Sequence, residues 1–540
     1  MRGKEKDTLG KSLTDFGNET TIHGVQYIVN KDNIIYRLCW VAICIGFLVV
    51  FIIQGSDIIT DFLQWPYSTK IDIVGRPSLT FPAVTVCNAN MMRRSQLVDT
   101  RFEGLIALDG GVSGADYDYS WWFSSDFVNG FEQSSSSVQR KKRSPPASVD
   151  YDMFSWYDPS DVSDFQYYAD NWDTVTSGDD WTGFYMSSRA DDYSDFVDVV
   201  NPTRAELTDY GHQLEDFVLQ CTFDRRQCNI SEDFYVWQNR YYGNCFTFNS
   251  ALSPANQTRT TGKTGGLSGL QLTLFVEQPE YLGILSPHTG AKVSIHHPDV
   301  FPFPEDDALE LSTGQETSIG IRQEYIKRLG GYYTNCTIDG DDTNFTSSEY
   351  IYSKAACKKI CYQLHLSQFC GCVDNQFFDD YPTKCDVLNA TQQWCRQYVE
   401  DRYLDDELAC MCPSPCAETK YVKTASSLLW PSERYEEHLL RRLNASSHSN
   451  AVRILGSSEL SSKNLIRVKI FYEDLNYEFV EMVPVYTIPS VLGSVGGLMG
   501  LYIGMSFISV FEVLSLLLRI CRIGFAKLFF NGERVLPIKT

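Results

Sequence analysis

The chain has 540 residues and 17 cysteines, with 46 Lys and Arg against 68 Asp and Glu for a net charge of −22. That length excludes a single small domain, because compact cores split well before it. The acidity argues against a nucleic-acid partner.

The first 33 residues carry five basic and five acidic groups and are mostly polar. Ile34 to Ile53 follows, twenty apolar residues broken only by Arg37, matching the thickness of a bilayer core. This predicts a transmembrane helix over 34–57. A secretory signal is excluded by the polar leader and by the lack of a small-residue cleavage site close behind.

Leu79 to Cys87 (LTFPAVTVC) reads as a strand in which Pro82 suits an edge or a bulge. Residues 110–200 then turn rich in Asp, Ser, Tyr and Trp, which predicts long loops or an insertion. Within them Arg140, Lys141, Lys142, Arg143 and Ser144 form a basic cluster suited to protease cleavage after Arg143. Sheet is expected between Cys221 and Val276, and helices at Tyr350 to Gln363 and Ser432 to Leu443. Asn464 to Val480 alternates, turns at Glu473 to Asn476, and predicts a hairpin feeding the next apolar run.

That run, Val485 to Leu518, contains one charged residue, Glu512, and is longer than one span needs. A tilted or interrupted pore-lining helix over 485–518 is expected. Arg519, Arg522, Lys527, Arg534 and Lys539 then face only Glu533, which places residues 519–540 in the cytoplasm. The expected topology is a multi-pass plasma-membrane protein with both termini cytoplasmic and residues 58–484 outside.

Fourteen cysteines lie between the two runs; Cys39, Cys44 and Cys521 lie outside them. An even, clustered set in an exoplasmic segment points to a disulfide framework whose connectivity the sequence leaves open. A zinc site is the rival, disfavoured by six glycosylation sequons in the same segment at Asn229, Asn256, Asn335, Asn344, Asn389 and Asn444. His296 and His297 read as surface residues, and no nucleophile, metal, phosphate or cofactor motif emerges, so an enzyme is not expected.

In the second run Gly493, Gly496, Gly500 and Gly504 fall on nearly one helical face, with Ser494, Ser506 and Ser509 interleaved. Such a stripe can serve close helix packing. Serines and an intramembrane carboxylate added to it describe instead a water-filled cation path. Backbone carbonyls can replace part of an ion's hydration shell where the backbone leaves the helix, and Gly504 to Ser506 is the candidate. Ser490, Gly493, Ser494, Gly497, Gly500 and Glu512 are the expected pore lining.

His23-Gly24, FPAVTVCN (81–88), GNCFTFN (243–249), EYL (280–282), the cysteine array at 336–416 and GGLMGLYIGMS (496–506) occur in this order. In this the chain resembles the degenerin/epithelial sodium channel family over nearly its whole length. The resemblance implies an α+β membrane protein: two transmembrane helices flank a large disulfide-rich ectodomain with a central β-sheet, a finger (88–235) holding the acidic insertion, and a helical thumb (336–416). It implies pairs Cys87–Cys245, Cys221–Cys228, Cys336–Cys416, Cys357–Cys412, Cys361–Cys410, Cys370–Cys395 and Cys372–Cys385.

It also implies a homo- or heterotrimer of like subunits that conducts sodium independently of voltage, is blocked by amiloride and contacts membrane lipid. Gly504, Met505 and Ser506 would form the filter, His23 and Gly24 would act in gating, and Trp65 would meet Tyr333 between thumb and pore. The stimulus would act through the ectodomain as a ligand, peptide or proton, or the channel would be constitutively open. Pro66, Tyr67 and Ser494 replace acidic or histidine positions of acid-sensing relatives. The competing readings are a membrane-anchored, non-conducting receptor or adhesion ectodomain and an ATP-gated two-pass channel.

Overall fold

The computed structural model describes residues 9–29, 33–103, 105–106, 200, 202–254, 257–283, 285–341, 343, 350–373, 384–385, 390–405, 407–445, 451, 455 and 458–530. Arg143, Asn256, Asn344, Asn389 and nearly all of the acidic insertion lie outside them. The chain divides into two compact units. One comprises residues 1–70, 328–335 and 481–540; the other comprises 71–327 and 336–480.

The larger unit is built on two sheets. An eight-stranded sheet runs in the order Tyr67–Gly75, Asn476–Pro484, Gln315–Lys327, Leu465–Tyr472, Leu270–Phe275, Val218–Phe223 and Arg226–Gln227, with Ala417–Leu429 also paired to Gln315–Lys327. Leu465–Tyr472 shows why the alternation forms a strand. Ile466, Val468, Ile470 and Tyr472 enter the core, while Lys469 and Arg467 reach Glu316 on the adjacent strand. The expected hairpin is not present: Leu465–Tyr472 and Asn476–Pro484 both flank Gln315–Lys327 instead of pairing with each other. Pairing of Leu465–Tyr472 with Gln315–Ile321 is parallel, a long-range choice that local alternation cannot encode.

The second sheet has the order Leu309–Ser312, Gly290–His296, Ala83–Asn88, Gly243–Phe248 and Phe234–Asn239. Ala83–Asn88 is central and buried at all six positions, so the edge placement expected from Pro82 is wrong. Pro82 separates Leu79–Thr80 from this strand and so costs the central ladder nothing. Cys87 and Cys245 stand directly opposite in register and are bridged at a Cα separation of 4.5 Å. Phe81, Phe246 and Phe248 of this region share one core with Leu272, Ile319 and Val468 of the larger sheet.

In the cysteine-rich lobe, Lys354–Cys370 starts on Ser353, whose hydroxyl accepts from the Ala356 N–H, and ends on left-handed Gly371. Cys357 and Cys361 lie one turn apart on that helix and bridge Cys412 and Cys410, two residues apart on the returning chain. Four helical residues rise about 6 Å and two extended ones about 6.6 Å, so the two bridges fit side by side. Cys336–Cys416, Cys370–Cys395 and Cys372–Cys385 complete the lobe, and Cys221–Cys228 closes a short turn elsewhere in the unit. Lys359 ties this helix to Glu305 and to Asp306, with its ammonium 4.6 Å from the Phe303 ring centre.

Glu433–Ala445 is the second expected helix of the unit. His296, like His297, is half-buried. Its Nε2 lies 2.9 Å from the Thr85 hydroxyl and its Nδ1 lies 3.0 Å from the His297 carbonyl. Asn229, Asn335 and Asn444 are exposed, as an acceptor asparagine must be.

In the smaller unit, Ile34–Leu63 runs ten residues past the predicted apolar stretch. Among the described residues it is the one helix long and apolar enough to cross a membrane. The second apolar run is divided into Ile488–Tyr502, a shorter apolar helix, and Phe507–Phe530, which carries Glu512 and three basic residues and extends beyond the expected end at 518.

Candidate functional site: the helix break at Ile503 to Ser506

The break is made of two helix caps placed back to back. Gly504 takes the left-handed conformation (φ 71°), and its N–H donates to the Gly500 carbonyl at 3.1 Å, the bond that closes a helix with a left-handed glycine. Two residues on, Ser506 opens the next helix. The Ser509 N–H donates to the Ser506 hydroxyl (3.4 Å), and the Ser506 N–H donates to the Ser509 hydroxyl (3.0 Å). That reciprocity is a capping box with serine in the usual Glu or Gln position. Glycine ends one helix, serine starts the other, and Met505 is the single residue between them.

Gly504 therefore lies beyond the helix and does not extend the stripe of Gly493, Gly496 and Gly500 as a common face. A β-carbon at Gly493, Gly496 or Gly497 would meet nothing within 4 Å. Those glycines are not buried against helices of their own chain, unlike a packing stripe. Ser490 is committed to a capping box with Thr487 at the start of Ile488–Tyr502. Ser494 is exposed.

The N-terminal segment returns to this break. Leu9–Glu19 and Val25–Val29 are joined by a turn in which the His23 N–H donates to the Ile503 carbonyl at 3.2 Å. A β-carbon on Gly504 would lie 2.2 Å from the His23 ring, so glycine is required there by contact as well as by φ. Gly24 is also left-handed (φ 87°), and a β-carbon on it would lie 2.6 Å from the Cys44 sulfur on Ile34–Leu63. Thr20 and Thr21 hold Glu512: the Thr20 hydroxyl donates at 3.0 Å and the Thr21 N–H at 3.1 Å. A cavity of about 430 Å³ opens beside Glu512, lined also by Phe16, Glu19 and Arg519. Phe47 of Ile34–Leu63 and Tyr502 of Ile488–Tyr502 stack at 6.1 Å.

Ile34–Leu63 is capped by Gln64 and followed by Trp65, which adopts the left-handed conformation (φ 52°) usually left to glycine. Its ring stacks on Tyr332 at 5.0 Å and meets Tyr333 edge-on at 5.4 Å. The expected partner Tyr333 is thus one of two, and Tyr332 supplies the stacked face. Thr20, Thr21 and Tyr332 are the site residues that sequence reasoning missed. The only available signal was position, two hydroxyl residues just before His23-Gly24 and a second tyrosine beside the first.

Cys361, His365 and Cys410 converge closely enough to hold a metal. Cys361 and Cys410 are joined to each other, however, and a disulfide offers no thiolate.

Comparison with known proteins bears on the chain as a whole. The family description "Amiloride-sensitive sodium channel" matches residues 16–516. The epithelial sodium channel subunit alpha of Neoceratodus forsteri is 27% identical over 553 residues, covering 96% of this chain and 81% of that protein. The subunit gamma of Pelodiscus sinensis is 25% identical, covering 95% and 81%, and the subunit alpha of Xenopus laevis is 27% identical, covering 94% and 81%. A match spanning both the helix break and the disulfide-rich domain leaves one conclusion: the chain belongs to the amiloride-sensitive sodium channel family.

Proposed function

We propose that this chain is a subunit of a sodium-selective, voltage-independent, amiloride-blocked channel, with the break at Ile503 to Ser506 as its filter. Membership in a family of channels, a class that catalyses no reaction, supports a cation-conducting role and a membrane-associated, oligomeric subunit. The finer reading rests on one observation. Back-to-back caps take the backbone out of the helix, so the Gly504 and Met505 carbonyls lie outside the hydrogen-bond ladders of both Ile488–Tyr502 and Phe507–Phe530. Such carbonyls are the groups that replace an ion's hydration shell, and at membrane depth they are tolerated only beside water. Because the backbone coordinates, Met505 is compatible with selectivity.

In this reading Ile34–Leu63 and the broken helix cross the plasma membrane twice, both termini are cytoplasmic, and three like subunits surround the path. Ser490, Gly493, Ser494, Gly497 and Gly500 line it above the filter. The disulfide-braced lobe of residues 336–416 acts as the thumb, passing an extracellular stimulus through Trp65, Tyr332 and Tyr333, and His23-Gly24 supports the filter from below. Expression of the chain alone and with related subunits, recorded under changes of pH, peptide and protease, tests it. A sodium current blocked by amiloride is expected. Abundant surface protein with no such current under any stimulus would refute it.

A further inference from the structure

We propose that Glu512 acts on the filter as a positioning residue, through a hydroxyl relay by way of Thr21 and Ser509 to the Ser506 N–H, and not as a carboxylate facing the permeating ion. The inference rests on the reading of Ile503 to Ser506 as the filter. Ser506, Ser509 and Glu512 are spaced three apart, the first capping Phe507–Phe530 and the other two on one side of it. Along that side the Ser506 N–H donates to Ser509 Oγ at 3.0 Å, Ser509 Oγ lies 2.6 Å from Thr21 Oγ1, and Thr21 Oγ1 lies 3.3 Å from both Glu512 oxygens. Ser509 is fully buried and Thr20 is 3% exposed.

The direction of the relay follows from donor counting. An amide N–H can only donate and a carboxylate can only accept, while each hydroxyl between them has one proton. Serving both ends at once requires the Ser509 hydroxyl to donate to Thr21 and the Thr21 hydroxyl to donate to Glu512. The carboxylate thus fixes the orientation of both hydroxyls and leaves the Ser509 lone pairs facing the Ser506 N–H, which starts the lower helix. Glu512 Oε2 also accepts from the Thr20 hydroxyl and the Thr21 N–H, so that oxygen is already held by protein donors. Replacing one carboxylate oxygen with an amide NH2 leaves three donors, the Thr20 and Thr21 hydroxyls and the Thr21 N–H, to compete for one remaining acceptor oxygen, and the disturbance arrives at the cap that bounds the filter.

The test is a double-mutant cycle in the full-length channel. Thr21→Val, which keeps the shape and removes the hydroxyl, and Glu512→Gln are each expected to lower the sodium-over-potassium permeability ratio by about two- to tenfold, the net worth of one hydrogen bond. The double variant is expected to lose no more than either single change. Thr21→Ser should retain the wild-type ratio, and surface labelling controls for folding. A conducting channel in which Thr21→Val is silent while Glu512→Gln loses selectivity, or in which the two losses add, would overturn the relay and leave the filter reading standing. If wild type itself carries no current, the filter reading fails. The relay is then read from thermal unfolding of the purified chain, where additive losses would overturn it.

Discussion

Gly504→Ala places a methyl group where both backbone and neighbour exclude it. A left-handed L-residue costs about 1–2 kcal/mol. The β-carbon at 2.2 Å from the His23 ring must also displace that ring, and with it the His23 N–H bond to Ile503, worth about 0.5–1.5 kcal/mol net. The break is then destabilised by about 1.5–3.5 kcal/mol, a fall of about 10- to 300-fold in the population of the intact arrangement. Two-electrode recording with surface biotinylation is the assay: surface protein near wild type, with sodium current reduced by at least tenfold. Gly46→Ala in the first span, where a β-carbon meets nothing within 4 Å, serves as the tolerated control. Joint replacement of His23 and Gly504, as His23→Gly with Gly504→Ala, removes the collision but not the strained φ and should recover part of the current. Wild-type current and selectivity from Gly504→Ala alone would refute the two-cap account of the filter.

Burial pushes the His296 imidazole down to about 4, opposed only in part by the His297 and Val300 carbonyls. An unfolded histidine titrates near about 6.5, so between those values the unfolded chain binds more protons and stability falls as pH falls, by up to about 3 kcal/mol. His296→Gln should flatten the decline in unfolding temperature of the purified protein between pH 6.5 and 4; an unchanged slope would contradict this. Lys359→Ala removes the pair with Glu305 and Asp306 and should cost about 1–3 kcal/mol, seen as faster proteolysis of the cysteine-rich lobe, whereas an unchanged rate would mean the bridges alone hold the helix. Tyr332→Ala deletes the face-stacked partner of Trp65, and a stacked aromatic pair contributes about 0.5–1.5 kcal/mol beyond its buried area. It should impair opening at least as much as Tyr333→Ala, and a clear excess for Tyr333→Ala would assign the contact to the edge-on ring.

Periodicity located elements well wherever each element's partner did not matter. The helices Lys354–Cys370 and Glu433–Ala445 and the alternating Leu465–Tyr472 could be read from local spacing. Pairing could not. Gln315–Lys327 intervenes between two strands that only three residues separate in sequence, and it recruits one of them in parallel from about 150 residues away. The Thr85 partner of the half-buried His296 was hidden for the same reason, because it lies 211 residues away.

By itself the sequence showed that the second apolar run was too long for one straight span, so tilted or interrupted, and marked Gly504 to Ser506 as the candidate for non-helical backbone; a left-handed glycine and a capping serine are local chemistry that those residue types allow. It also determined the outlines of the stapled domain through fourteen clustered cysteines. Only the tertiary structure decided what bears on the break. The His23 amide, the Thr21 hydroxyl and the Glu512 carboxylate meet there across 480 or more residues of chain, and hydrogen bonds over that separation leave no periodic trace in the sequence.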